Sequence, residues 1–162
     1  MKEDRILRKK LVELLGGGNA HMGFDEAVAD FPMERINEKF PNGSHSAWDD
    51  LEHIRITQWD ILDFIRNPNY KYLQWPKDYW PKNNKKATPS DWKKTIKLFK
   101  QDLKSLLEII EDPKADLYVK IPWGEGQSIL QEILTVADHN SYQIGEFAIM
   151  RQAMKTLGKK HK

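Results

Sequence analysis

Apolar positions recur every three or four residues in four long stretches of the chain, and no stretch alternates convincingly as a strand would. From about Asp4 to Leu15, Ile6, Leu7, Leu11, Leu14 and Leu15 fall at helical spacing, and Gly16-Gly17-Gly18 stops the pattern. A shorter piece, Phe24 to Phe31, reads as one or two turns closed by Pro32. The second long helix is predicted from about Ser46 to Arg66. Ser46 and Asp49 have capping-box spacing, Pro68 ends the pattern, and Ala47, Leu51, Ile54, Gln58, Ile61, Leu62 and Ile65 share one broad face. The third is predicted over Pro89 to Glu111. Thr88 is a good N-cap, Pro89 sits at the first helical position, Asp91 completes a capping box and Pro113 closes the segment. Ile96, Phe99, Leu103, Leu106, Leu107 and Ile110 supply its apolar stripe. The fourth and longest is predicted over Ile129 to Leu157, roughly 43 Å at 1.5 Å per residue. Ser128 and Gln131 cap its start, and Gly158 follows its end.

Four amphipathic helices of this length predict an all-α fold, a four-helix bundle in one domain over residues 1–158. Lys159 to Lys162 are expected to form a basic tail. The link from Asn67 to Thr88 is too long for a tight antiparallel turn. Its extended reach is about 70 Å at ~3.3 Å per residue. It can carry the chain back along the bundle and leave the second and third helices parallel.

Composition narrows the function classes. Hydrophobic residues are 40% and charged residues 31%, which suits a globular chain with a buried core. Lys plus Arg number 26 against 24 Asp plus Glu, a net charge of +2, which argues against a dedicated nucleic-acid binder. The absence of cysteine excludes disulfides, zinc fingers, iron–sulfur ligation and a cysteine nucleophile within the chain. No apolar run approaches the ~18 residues of a membrane span. Met1 to Lys10 is charged and lacks a signal-peptide core, so the cytoplasm is the expected compartment.

Histidine positions carry the candidate chemistry. The chain has His21, His45, His53, His139 and His161. If His45 and His53 shared one helix, they would sit about 80° apart around it and ~12 Å apart along it, too far to chelate one ion. On the fourth helix, Glu132, Gln143 and Met150 fall within about 40° of His139, with Thr135 and Glu146 close by, and the apolar face is centred over 100° away. His139 and Gln143 are i, i+4 neighbours, roughly 6 Å apart, close enough to share an ion. On the second helix, Asp49, Thr57 and Asp60 fall within about 40° of His53. If the two polar flanks face each other, His53 and His139 converge. A lone helical histidine beside an apolar seam is more often a packed residue than a ligand, and an i, i+4 His–Gln pair alone is weak evidence for metal. The crossover holds Tyr70, Tyr72, Trp75, Tyr79 and Trp80, which read either as a small core sealing the bundle flank or as the wall of a substrate pocket. The lysines between them raise single-stranded nucleic acid as a ligand, but the near-neutral net charge argues against it.

Two stretches carry a family resemblance: Trp48-Asp49-Asp50-Leu51-Glu52-His53-Ile54-Arg55-Ile56-Thr57-Gln58-Trp59-Asp60 and Val136-Ala137-Asp138-His139-Asn140-Ser141-Tyr142-Gln143-Ile144-Gly145-Glu146. They resemble the DinB-like (DNA-damage-inducible, YfiT-like) family of four-helix-bundle metalloproteins, over about Gly18 to Gly158. The resemblance implies helices in up-down-down-up order. It also implies a divalent transition metal, zinc or nickel, held by one histidine on the second helix and a His-x-x-x-His pair on the last. Carried over, His53 matches the first ligand, His139 the second and Gln143 the third. Glutamine there is a departure from the family pattern, since it offers a neutral oxygen where these metals favour imidazole. His21, Glu146 and Glu132 are the alternative third ligands, and Glu146 or Asp49 the candidates to orient a ligand histidine through its other ring nitrogen.

Characterised relatives are small-thiol S-transferases or isomerases using thiols such as bacillithiol or mycothiol. The implied function is a metal-dependent thiol transferase or hydrolase acting on a small molecule. The implied partners are a low-molecular-weight thiol and a second copy in a homodimer, with no nucleic acid and no membrane. The rival reading is a non-catalytic bundle with a degenerate metal site that binds a small molecule or a protein.

Overall fold

The computed structural model describes residues 2–17, 20–39, 43–82 and 86–157, and the side chains within these up to residue 154. All regular structure among them is helical: α1 (Lys2–Gly16), α2 (Phe24–Val28), a 3-10 turn (Met33–Arg35), α3 (Ala47–Arg66), α4 (Pro89–Glu111) and α5 (Ile129–Leu157). Two isolated bridges, Lys39 with Ser46 and Lys120 with Ser128, pin the chain just before α3 and α5 and do not extend into strands. No helix among the described residues is long and apolar enough to cross a membrane.

Local chemistry sets the helix ends. Ser46 accepts the Asp49 amide while the Asp49 carboxylate takes the Ser46 amide, and Thr88 and Asp91 repeat that reciprocal box before α4. The Gln131 amide donates to Ser128 Oγ at the start of α5. Gly158 and the basic tail, including His161, lie outside the described residues. The last turn of α4 has no basic residue of its own. Arg8 of α1 reaches across instead and donates to the carbonyls of Ile110, Asp112 and Ala115 at 2.8, 2.9 and 2.6 Å. A guanidinium there both satisfies orphan carbonyls and meets the negative end of the helix dipole.

Helix α3 packs on α4 and α5, and α1 also packs on α4 and α5. Contacts between α3 and α4 advance in the same sense: Thr95 donates to Glu52, and Gln58 to the Phe99 carbonyl. Contacts between α3 and α5 run in opposite senses: His53 meets His139, while Asp50, earlier in α3, faces Glu146, later in α5.

Burial follows the expected faces. Ala47, Leu51, Ile54, Gln58, Ile61, Leu62 and Ile65 of α3 are all buried. On α1, Leu11 and Leu15 are buried, whereas Ile6 and Leu14 are exposed. The apolar interior forms two clusters. One is built around Phe24, Phe31, Leu51, Ile54, Phe99 and Phe147, the other around Leu11, Ile61, Leu106, Ile110, Ile133 and Val136. Between the parts of α3 and α5 that serve the two clusters lies a polar layer. There Asn140 Nδ2 donates to Gln58 Oε1 at 2.9 Å, and Gln58 Nε2 to the Phe99 carbonyl at 2.8 Å.

Candidate metal centre

His53 projects from the middle of α3 and His139 from α5, and their Nε2 atoms lie 3.2 Å apart, with the rings inclined at 70°. His53 is fixed from behind. Its Nδ1 is 2.9 Å from the Tyr79 carbonyl, an acceptor only, so Nδ1 carries the proton and Nε2 presents a lone pair. Its ring also stacks on Trp80 at 4.2 Å and 9°. His45 covers the other side of that indole at 3.6 Å and 13°, making a His45–Trp80–His53 sandwich. His45 precedes the Ser46 cap and lies outside α3, as the predicted helix boundary implies.

The crossover is thus part of the site. One backbone carbonyl and one indole from residues 79–80 orient His53, the role expected of Asp49 or Glu146. Asp49 is engaged instead in the capping box with Ser46. The same segment also seals the flank, since Tyr70 and Tyr79 both donate to the buried Asp60, at 2.8 and 2.6 Å.

Burial is the leading electrostatic influence at the pair. It lowers His53 below the usual histidine range, although the Tyr79 carbonyl bond opposes the shift. Burial and then the neighbouring His53 push His139 down to about 4. Both imidazoles are therefore neutral at pH 7. With His53 Nε2 an acceptor, His139 Nε2–H donates across the 3.2 Å gap, and a metal at that point requires the His139 proton to sit on its Nδ1, which has no hydrogen-bond partner.

The residues present fit a metal in part. Two nitrogens each about 2.05 Å from one tetrahedral ion would stand about 3.3 Å apart, close to the observed separation. One turn beyond His139, Gln143 is buried, and its Oε1 has no hydrogen-bond partner. A buried acceptor left without a donor is unusual and suits an oxygen that awaits a ligand. Among the described residues, no group of three His, Cys, Asp or Glu side chains could hold a metal. None of the acidic or histidine candidates for a third ligand joins His53 and His139 in such a group, although Glu146 is near enough to His53 to favour its protonated form. His21 is exposed, with Nδ1 2.8 Å from the Met22 carbonyl. Glu132 faces Asp60, and burial followed by that neighbour raises its carboxyl above the usual range. Glu146 faces Asp50.

Asp50 is the residue that the sequence reading passed over. It is buried at the first turn of α3 and lines a pocket of about 260 Å³ with His45, Glu146 and Met150. Its angular offset from His53 is about 60°, just beyond the arc that picked out Asp49 and Asp60. The usable signal was its place one turn before His53 on the same side.

An all-helical chain with two neutral histidines from separate helices meeting at one point defines a class of helical histidine-site proteins. The chain belongs to the DinB superfamily, whose family model matches residues 19–147. No curated protein and no solved structure matches the chain.

Proposed function

We propose that this DinB-superfamily chain is an up-down-down-up four-helix bundle that holds one divalent transition metal, zinc or nickel. His53 and His139 are its nitrogen ligands, and Gln143 Oε1 is a weaker third ligand. The same-sense advance of α3 along α4 and the opposed senses of α3 and α5 support the helix order. The observation that carries the metal reading is the convergence of two neutral imidazoles from different helices, whose Nε2 atoms share a 3.2 Å hydrogen bond at the spacing two ligands of one metal would have. A bound metal with an open position lowers the pKa of a coordinated water or thiol. The reaction class is small-thiol transfer or hydrolysis, and the thiol is external because the chain has no cysteine.

The chain's own residues supply orientation and exclusion of water. The Tyr79 carbonyl holds the His53 proton on Nδ1, Trp80 covers one face of that ring, and burial keeps His139 deprotonated. The test is a zinc and nickel titration of the purified, untagged chain with elemental analysis. Wild type is expected to bind about one equivalent, His53→Ala and His139→Ala to lose it, and Gln143→His to bind more tightly. If wild type bound nothing while Gln143→His gained a site, the non-catalytic reading would replace this one. The unpartnered Gln143 oxygen would then mark a centre that has lost its metal.

A further inference from the structure

Helices α3 and α5 bring two carboxylates to one end of the histidine groove. Asp50 lies one turn before His53, and Glu146 lies one turn beyond Gln143. Because the two helices run in opposite senses, both acids are displaced toward the same end. They line the 260 Å³ pocket together with His45, Ile149 and Met150. Asp50 is only 6% exposed, and among the described residues its carboxylate has no hydrogen bond and no ion pair. Glu146 lies beside the exposed Tyr142 hydroxyl and raises its pKa. No lysine or arginine among the described residues lines the pocket.

Two carboxylates in one partly buried pocket, with no lysine or arginine beside them among the described residues, are an unfavourable pair. Burial first, and then the Glu146 and Asp49 carboxylates, push Asp50 up to about 7. A cation with several N–H donors would relieve the pair by bonding both acids at once. His45 does not complete a metal ligand set with them, since no such group of three exists among the described residues. The aliphatic wall of Ile149 and Met150 suits a hydrocarbon stem behind a charged head.

We propose that this pocket binds the cationic head of a small alkylammonium or alkylguanidinium substrate, with Asp50 and Glu146 as its carboxylate partners. Its use as a substrate pocket rests on the metal centre proposed above, which lies one turn deeper in the same groove. The test is isothermal titration calorimetry of n-butylguanidinium chloride into the full chain at pH 8, with sodium butyrate as the anionic control. The cation should bind and butyrate should not. Asp50→Asn and Glu146→Gln should each weaken the cation at least about tenfold with helical content unchanged. No cation binding, equal affinity in both variants, or equal binding of butyrate would overturn the proposal. A zinc titration of the same three proteins separates the two readings. Zinc binding without cation binding removes the pocket and leaves the centre; cation binding without zinc removes the centre and leaves the pocket. Zinc lost on Asp50→Asn would make that residue a metal ligand and would also overturn the assignment.

Discussion

Asp50 and Asp60 lie on the same helix, and each is 6% exposed, yet their surroundings differ. Asp60 receives two tyrosine hydroxyls from the crossover, which offset part of the effect of burial on its carboxyl. Among the described residues Asp50 has no donor, and it faces another acid across a pocket. The sequence writes both as aspartate on the polar flank of α3. A buried carboxylate with its bonds filled ties a loop to a helix, and one left open leaves binding capacity unspent.

The largest expected effect separates them by pH. Asp50 is raised from 3.8 to about 7, so the folded chain holds that proton more tightly than the unfolded chain does. The stability tied to that proton is full below about pH 4 and is lost as pH rises through 7. Urea denaturation should find Asp50→Asn close to wild type near pH 4 and more stable by up to roughly 4 kcal/mol at pH 8. A difference independent of pH would mean that Asp50 is paired in solution, and the contrast would collapse.

Asp60 should respond in the opposite direction. Asp60→Ala strands two tyrosine hydroxyls and should cost about 3 kcal/mol, lowering Tm by roughly 6–12 °C. Tyr79→Phe removes one of the two bonds and should cost about 1 kcal/mol. That variant keeps the backbone carbonyl that holds His53, so its metal affinity should match wild type. A Tyr79→Phe variant that lost metal would show that the Asp60 anchor, and not the carbonyl alone, sets the histidine.

The contrast also marks what was legible in the chain. Helix ends are written locally: the Ser46–Asp49 and Thr88–Asp91 boxes, Pro89 and Pro113 bound α3 and α4 where the pattern predicts. The buried face of α3 follows from a 3.6-residue period, and that period also set His53 and His139 on flanks able to meet. What escaped is non-local. A backbone carbonyl has no side-chain signature, so the Tyr79 bond to His53 could not be read. Nor could the stack of Trp80 between two histidines, which depends on the path of a 22-residue crossover. Asp49 looked like a partner for a ligand histidine because capping and orienting draw on the same residue type. Asp50 was missed because its importance lies in the donors it lacks, a property only the folded chain displays.

The central claim is that the two Nε2 atoms share one metal. Zinc K-edge X-ray absorption of the zinc-loaded chain tests it most directly. The account predicts a first shell of nitrogen and oxygen at about 2.0–2.1 Å, with the outer-shell scattering of two imidazoles. His139→Ala should reduce that scattering to one imidazole or leave no protein-bound zinc. A wild-type spectrum without imidazole scattering, or one unchanged in His139→Ala, would contradict it.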